Sequence, residues 1–199
     1  AKYTGDYKLP GMVFARIVRP PVWGAKLKSV DFTEAEKMPG VKVVRDGELV
    51  AVLSEDQHVA NVAVGKVKAE WDREELTVTD KNIFERMVKT PAASRVNPNV
   101  GDIEAGRKLC DSVFESEFHD VFLAHAPMET HTALANFEGD SLTVWAATQT
   151  PFGLQDGIVR ELKMPLEKVR VIAPFVGGGF GGKTAFQQGI EAAKIAKLA

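Results

Sequence analysis

The sequence predicts an α+β protein in two lobes, each combining mixed sheet with helices. Three observations lead to this fold class. Short apolar strands alternate with capped helices over residues 1–80. Proline and asparagine then cluster between residues 90 and 99, which is typical of a linker. Beyond that stretch a hairpin, a helix, a strand and a glycine-rich turn follow one another, so strands and helices occur in both lobes.

The composition fits a globular protein and limits its partners. The chain has 199 residues, of which 45% are hydrophobic and 26% charged, with a formal net charge of -2. Basic residues form no block, so we expect no nucleic-acid partner. Cys110 is the one cysteine and cannot form an iron–sulfur cluster alone. Any such centre must belong to another chain or segment, and the cellular compartment is left open.

The first lobe, residues 1–80, should hold five strands and two short helices. A capping box of Thr33 and Glu36 predicts the start of the first helix, and Ser54 with Gln57 predicts the start of the second. Asp46-Gly47 predicts a hairpin turn. The strands are expected at residues 12–18, 26–32, 41–44, 49–53 and around 70–71.

Residues 81–100 are predicted to be a linker that contains one helical stretch, residues 83–89. The second lobe, residues 101–199, should open with a helix near residues 101–109. Thr150 with Pro151 predicts the start of a later helix that ends near residue 163. Strands are expected at residues 113–121, 131–138, 141–148 and 169–173, and a last helix from about residue 185.

The most informative segment is residues 177–184 (GGGFGGKT), which we call the glycine loop. Five glycines in six positions cost backbone entropy, so the chain must need positive φ or a very close approach here. The N-terminus of the following helix adds free N–H donors and a positive dipole end. An anionic or oxygen-bearing ligand is therefore the expected guest.

Two nucleotide-binding patterns also match the glycine loop. Gly177, Gly182, Lys183 and Thr184 fit the P-loop, and glycines 177, 179 and 182 fit the dinucleotide fingerprint. A P-loop domain needs a later strand with an aspartate for Mg²⁺, and a dinucleotide fold needs an acidic residue about 20 positions on. Only one helix is predicted after Thr184, so the context disfavours both patterns. A purely structural turn is the plain alternative.

Family resemblance gives a third interpretation. The glycine loop with the preceding valine resembles the corresponding loop of the xanthine dehydrogenase/aldehyde oxidase family. Other segments resemble the same family in the same order, with closest similarity to its isoquinoline 1-oxidoreductase branch. These are residues 9–21 (LPGMVFARIVRPP), 38–41 (MPGV), 125–133 (HAPMETHTA) and 144–152 (VWAATQTPF).

The resemblance implies a fold and a function. Residues 1–80 would be the family's α/β hammerhead domain, and residues 101–199 the incomplete first part of its molybdopterin-binding domain. Such enzymes use a molybdenum–pterin cofactor to hydroxylate a carbon of an aldehyde or N-heterocycle with oxygen from water. We expect that cofactor in the intact enzyme and not in this chain alone. The expected partners are the rest of the molybdopterin subunit, an iron–sulfur subunit or other electron-transfer partner, and a small-molecule substrate.

The resemblance also implies roles for single residues. Gln149 is similar to the family glutamine whose amide donates to the apical oxygen of the metal. Phe180 would line the substrate pocket, and Thr184 stands where xanthine-oxidising members carry a substrate-binding glutamate, which puts purine oxidation in doubt. The residues expected at the cofactor are Gln149, Gly178, Gly179, Phe180, Gly181 and Gly182.

No catalytic residue is predicted within these 199 residues. The family's base is a glutamate in a Gly-x-Gly-Glu segment, which this sequence lacks, so we expect the chain alone to be inactive. Glu129 and His131 could form a metal pair, although a structural hydrogen-bonded pair is favoured. Lys183 could meet an anion or be solvated or bonded to a carbonyl. The alternatives in other classes are a P-loop nucleotide-binding protein and a non-catalytic interaction module with a hammerhead fold.

Overall fold

The computed structural model describes residues 1–90 and 100–199, which group into two compact units. One unit comprises Ala1–Glu74 and Ala124–Ala199, and the other is Glu75–Leu123. None of the helices in the described ranges is long and apolar enough to cross a membrane. The mixture of short strands and helices confirms the predicted α+β class.

The first sheet is antiparallel and lies in the order β1-β4-β3. It comprises β1 (Phe14–Ile17), β3 (Lys42–Asp46) and the central β4 (Leu49–Ser54). The predicted hairpin at Asp46-Gly47 is confirmed, because Asp46 pairs with Leu49. Both faces of β4 are covered, which explains its unbroken apolar run.

Two short helices accompany this sheet, α1 (Thr33–Glu36) and α2 (Gln57–Val64). Both predicted caps are wrong. Phe32 precedes α1 without a side-chain cap. The N-cap of α2 is Asp56, whose Oδ1 accepts the N–H groups of the two residues His58 and Val59. These bonds lower the pKa of Asp56, and an ionised carboxylate is a stronger acceptor than the Ser54 hydroxyl.

A two-stranded antiparallel ribbon completes the first part of this unit. It pairs β2 (Lys26–Asp31) with β5 (Lys68–Asp72), and its register shifts between Leu27 and Ser29. The strand expected around Glu70-Trp71 is therefore confirmed.

The third sheet lies in the order β6-β7-β8. The hairpin strands β6 (Ala133–Glu138) and β7 (Ser141–Ala146) are antiparallel, whereas β7 and β8 (Val169–Ile172) are parallel. Helix α5 (Pro151–Leu162) forms the crossover between the parallel strands. Buried side chains from β7, β8, α5 and the last helix form one core: Leu142, Val144, Ala146, Leu154, Ile158, Val169 and Ala193.

The last helix, α6 (Gln187–Leu198), packs on two cores. Its Ala193 belongs to the core of the third sheet, and its Ile195 to the core of the first sheet. Glu191 is buried and accepts two hydrogen bonds of 2.6 Å from the Arg19 guanidinium, which follows β1. The hydrogen bond to Glu191 raises the pKa of Arg19 above its ordinary value.

The second unit, Glu75–Leu123, contains α3 (Ile83–Lys89) and α4 (Ile103–Arg107), which confirms both predicted helices. The strand predicted at residues 113–121 is wrong, because these residues form neither strand nor helix. A strand requires a neighbouring strand to which it can form hydrogen bonds, and the described residues of this unit contain no strand. Residues 91–99 of the predicted linker lie outside the described residues, and the domain boundaries stay a prediction.

Replacing Arg19 by methionine should lower the free energy of unfolding by roughly 1 to 2 kcal/mol, because Glu191 would remain buried without its cation while Arg19 itself is partly screened by solvent. Urea denaturation measures the loss. Lys37→Met, which breaks only the exposed pair with Glu34, serves as the control and should leave the midpoint unchanged. Equal effects of the two substitutions would contradict this role of Arg19.

Candidate functional site

Three segments meet at one edge of the third sheet. Strands β7 and β8 run parallel and β6 runs antiparallel to them, so the start of β6 and the ends of β7 and β8 share that edge. The segments are residues 125–132 before β6, residues 147–150 after β7, and residues 173–184 after β8. The predicted site residues all lie in the last two of these segments.

Hydrogen bonds join the segment after β7 to the end of the glycine loop. The backbone N–H of Gln149 donates to the carbonyl of Lys183 at 3.0 Å, and the Thr150 hydroxyl donates to the carbonyl of Thr184 at 3.0 Å. The Gln149 side chain also reaches the loop, where its Oε1 accepts the N–H groups of Gly181 at 3.1 Å and Lys183 at 3.3 Å. The structure therefore brings Gln149 and the glycine loop together.

Several donors at this edge are left without an acceptor. Among the described residues, the backbone N–H groups of Gly178, Gly179 and Phe180 make no hydrogen bond, nor does the exposed Nε2 of Gln149. The N–H of Gly182 is used internally, since it donates to the Gly179 carbonyl at 2.7 Å. Amide donors without partners favour an oxygen-bearing ligand over an apolar one.

Close approach explains two of the glycines. A Cβ at Gly179 would stand 2.5 Å from Oε1 of Gln149, and a Cβ at Gly177 would stand 2.6 Å from Cβ of Glu129. Neither distance is tolerable for a side chain. The loop is therefore rich in glycine because the side chains of the two neighbouring segments press directly against its backbone.

Lys183 is fully buried and pairs with Glu129. Its Nζ lies 2.8 Å from Oε2 of Glu129, whose side chain is 12% exposed. Of the three roles predicted for Lys183, the solvated one and the one bonded to a carbonyl are wrong, and the anion that it meets is the Glu129 carboxylate and not a ligand. The P-loop interpretation fails for the same reason, because a lysine that binds phosphates must reach the ligand.

Two histidines also contact the glycine loop. Nε2 of His131 lies 3.0 Å from the carbonyl oxygen of Gly182. Because a carbonyl oxygen can only accept a hydrogen bond, this nitrogen must carry a proton. The His125 ring lies against Gly182, where a Cβ would come within 3.0 Å of the imidazole Cγ. Glu129 and His131 thus support the loop and do not form a metal pair. Within residues 1–90 and 100–199, no cluster of three or more histidine, cysteine or acidic side chains could hold a metal.

The two expected substrate residues differ in their availability. Phe180 has a left-handed backbone with φ of 51°, and the residue is 73% exposed. The Thr184 hydroxyl donates to the carbonyl of Gly181 at 2.6 Å, so its proton is already committed within the loop. Phe180 is thus free to contact a ligand, while Thr184 presents only a lone pair.

The sequence interpretation missed Glu129 and His125 as neighbours of the loop, and it missed that Lys183 of the loop pairs with Glu129. A signal was present, because the segment that carries Glu129 and His125 immediately precedes the predicted hairpin. The parallel pairing of β7 with β8, which places that segment beside the loop, had no signal in the pattern of apolar residues.

Comparison with known proteins identifies the family. The family described as the molybdopterin cofactor-binding domain matches residues 79–199, which is more than half of the chain. The chain belongs to this family. The glycine loop and Gln149 of this chain both lie within the region that matches the molybdopterin cofactor-binding domain.

Relatives of this chain are considerably longer. It is 24% identical over 214 residues to the aldehyde oxidoreductase molybdenum-binding subunit PaoC of Escherichia coli K12, covering 92% of this chain and 29% of PaoC. It is 31% identical over 204 residues to aldehyde oxidase 1 of Macaca fascicularis, covering 86% of this chain and 15% of that protein. The chain thus spans less than a third of these relatives.

Solved structures agree in fold. The aldehyde oxidoreductase from Desulfovibrio gigas matches with a TM-score of 0.78 and 18% identity, over 99% of this chain and 27% of that chain. Quinoline 2-oxidoreductase from Pseudomonas putida 86 matches with a TM-score of 0.72 and 20% identity, over 98% of this chain and 31% of that chain. At this identity the likeness establishes the fold alone.

Replacing Gly179 by alanine should push the exposed Gln149 side chain off the loop and lower the free energy of unfolding by about 1 kcal/mol, because Oε1 of Gln149 loses its two backbone hydrogen bonds. Thermal unfolding of purified chains measures the loss. Gly5→Ala is the control, since a Cβ at Gly5 has open space, and it should cost less than about 0.5 kcal/mol. Wild-type stability of the Gly179 variant would refute the close approach.

Proposed function

We propose that this chain forms one wall of a molybdenum–pterin site in an enzyme that hydroxylates a carbon of an aldehyde or N-heterocycle. The observation that carries the proposal is the set of unpaired donors at one sheet edge, namely the N–H groups of residues 178–180 and the Nε2 of Gln149. Family membership supports it, because the matched region is the cofactor-binding domain of such proteins.

The residues present fit this cofactor. When bound, the molybdenum–pterin group supplies the two-electron oxidation and the oxygen derived from water. The protein's part here is hydrogen bonding: amides without side chains approach closely, and Gln149 donates through Nε2. Because the fold holds these donors in place before a ligand arrives, they would need little reorganisation to bind an oxygen-bearing group of the cofactor.

The substrate would lie beside Phe180. Its exposed ring offers an apolar face, which suits an aldehyde or an N-heterocycle. The committed hydroxyl of Thr184 offers no charge to a purine, so we propose a substrate other than xanthine. The proposed partners are the rest of the molybdopterin subunit and an iron–sulfur subunit or other electron-transfer partner, because Cys110 alone cannot hold a redox cluster.

Two alternatives are less well supported. Nucleotide binding through a P-loop requires Lys183 at the ligand, but that side chain is buried against Glu129. A non-catalytic interaction module has no need for unpaired donors on a glycine loop. Mg-ATP binding that is lost on Lys183→Ala would support the P-loop alternative.

Because the chain supplies only one wall of the site, it should not retain the cofactor by itself. It should still bind, weakly, an excess of molybdenum–pterin cofactor released from a purified molybdoenzyme, and Gln149→Ala should weaken that binding about tenfold, the value of roughly one hydrogen bond. Molybdenum co-eluting with the chain on a gel-filtration column equilibrated with the cofactor measures binding. The matched control is Gln57→Ala, an exposed glutamine on α2, which should bind like the wild type. No binding by the wild-type chain, or equal binding by the Gln149 variant, would overturn the proposal.

Even with cofactor bound, the 199-residue chain should not hydroxylate aldehydes. The reaction needs a base that deprotonates the attacking group, and the sequence has no Gly-x-Gly-Glu segment to supply it. The measurement is reduction of a dye acceptor in the presence of an aromatic aldehyde. Product formation that depends on the chain would show that a different side chain of this protein serves as the base.

A further inference from the structure

We infer that Glu129 and Lys183 are positioning residues, which together close the glycine loop and fix the orientation of the Gln149 amide. The inference rests on the proposed function and deepens it, because it names what holds the donor groups in place. Neither residue would touch the cofactor. They would act through Gln149 and through the backbone of the loop.

A single oxygen atom ties both ends of the loop. Oε2 of Glu129 accepts the backbone N–H of Gly177 at 2.8 Å and the ammonium group of Lys183 at 2.8 Å. Gly177 begins the loop and Lys183 lies six residues later, so the carboxylate bridges its two ends. We call this arrangement the Glu129 clasp.

Both charged groups of the clasp are largely buried, so each needs the other for charge compensation. Lys183 is fully buried, and Oε1 of Glu129 is buried without a hydrogen-bond partner among the described residues. Each charge therefore has the other as its close counter-charge. Removing one partner alone would leave an uncompensated buried charge, whereas replacing both by neutral groups of similar shape avoids that penalty.

The clasp determines which end of the Gln149 amide faces the ligand. Two N–H groups, of Gly181 and Lys183, donate to the same atom of the amide, so that atom must be the oxygen. The nitrogen is then turned away from the loop as a donor. If the backbone at Lys183 moved, one of the two bonds would be lost and the amide could rotate, presenting an acceptor to an oxygen ligand.

A loop held in this way needs no ligand to be ordered. The backbone between Gly177 and Lys183 has its ends fixed by the clasp and its later part fixed by Gln149. The stretch between these anchors is residues 178–180, whose N–H groups are the unpaired donors. The anchors thus leave free the donors that the proposed function uses.

The test compares two double variants of the full chain without cofactor. Glu129→Leu with Lys183→Met removes the clasp, because leucine has no atom that could accept the Gly177 N–H. Asp140→Asn with Lys168→Met is the control, since that pair, 3.0 Å apart, lies at the opposite edge of the third sheet from the loop. Amide hydrogen exchange and the side-chain NH₂ resonances of Gln149, assigned by comparison with Gln149→Ala, are measured by NMR.

In the clasp variant, exchange at the Gly177, Gly181 and Lys183 amides should accelerate about tenfold, and the Gln149 NH₂ resonances should shift. The control variant should leave all of these signals unchanged, and amides of β7 should stay protected in both. Unchanged loop exchange and unchanged Gln149 resonances in a folded clasp variant would overturn the inference. If that double variant does not fold, Glu129→Gln with Lys183→Met gives a second measurement, since it leaves no buried charge and keeps an acceptor for Gly177. The Gly181 and Lys183 amides and the Gln149 resonances should then change in the same way.

A binding measurement separates this inference from the proposed function. Released molybdenum–pterin cofactor should bind the clasp variant about tenfold more weakly than the control variant. If the wild-type chain binds no cofactor, the proposed function fails, and the NMR result alone decides whether the clasp positions the amide. If the clasp variant binds as tightly as the control, the inference fails while the proposed function stands.

Discussion

The parallel pairing of β7 with β8 is the constraint on which the site depends. Two parallel strands end at the same edge of a sheet, and the antiparallel strand beside them begins there. Polar groups that are far apart in the sequence are thereby delivered to one place. Ligand sites commonly form beyond the carboxyl ends of parallel strands, where loops and helix N-termini converge. In this chain one such loop is almost bare backbone, so neighbouring side chains settle directly on it.

Local chemistry in the sequence was sufficient to predict most of the elements. The hairpin at Asp46-Gly47, the helix after Thr150 and the strand before the glycine loop all follow from turn residues and apolar periodicity. The prediction failed at residues 113–121, where alternation indicates a strand but pairing requires a partner that the sequence pattern does not specify. The predicted caps failed because several polar residues compete at each helix start, and only the backbone decides which of them reaches an N–H.

Some residues of the candidate site could be predicted from the sequence and others could not, and the difference has a physical reason. Five glycines and Gln149 stand out because their cost or context demands a reason. The role of Lys183 cannot be predicted in this way, since a lysine at this position fits a phosphate-binding pattern equally well. Whether a lysine at the end of a glycine-rich loop contacts ligand or core depends on where a distant carboxylate lies. The nucleotide-binding pattern and the observed loop share their spacing, and burial is what distinguishes them.

Helix α6 has a thermodynamic consequence for this arrangement. Its side chains belong to two separate apolar cores, and its Glu191 is held by Arg19 from beyond the first sheet. Because α6 contributes side chains to both cores, unfolding of one core would remove packing from the other. Both cores should therefore unfold together in one cooperative transition. The glycine loop leads directly into α6 and has few apolar contacts of its own. The order of the loop therefore also depends on residues near the start of the chain. A substitution that destabilises a strand of the first sheet should increase the mobility of the glycine loop at the edge of the third sheet.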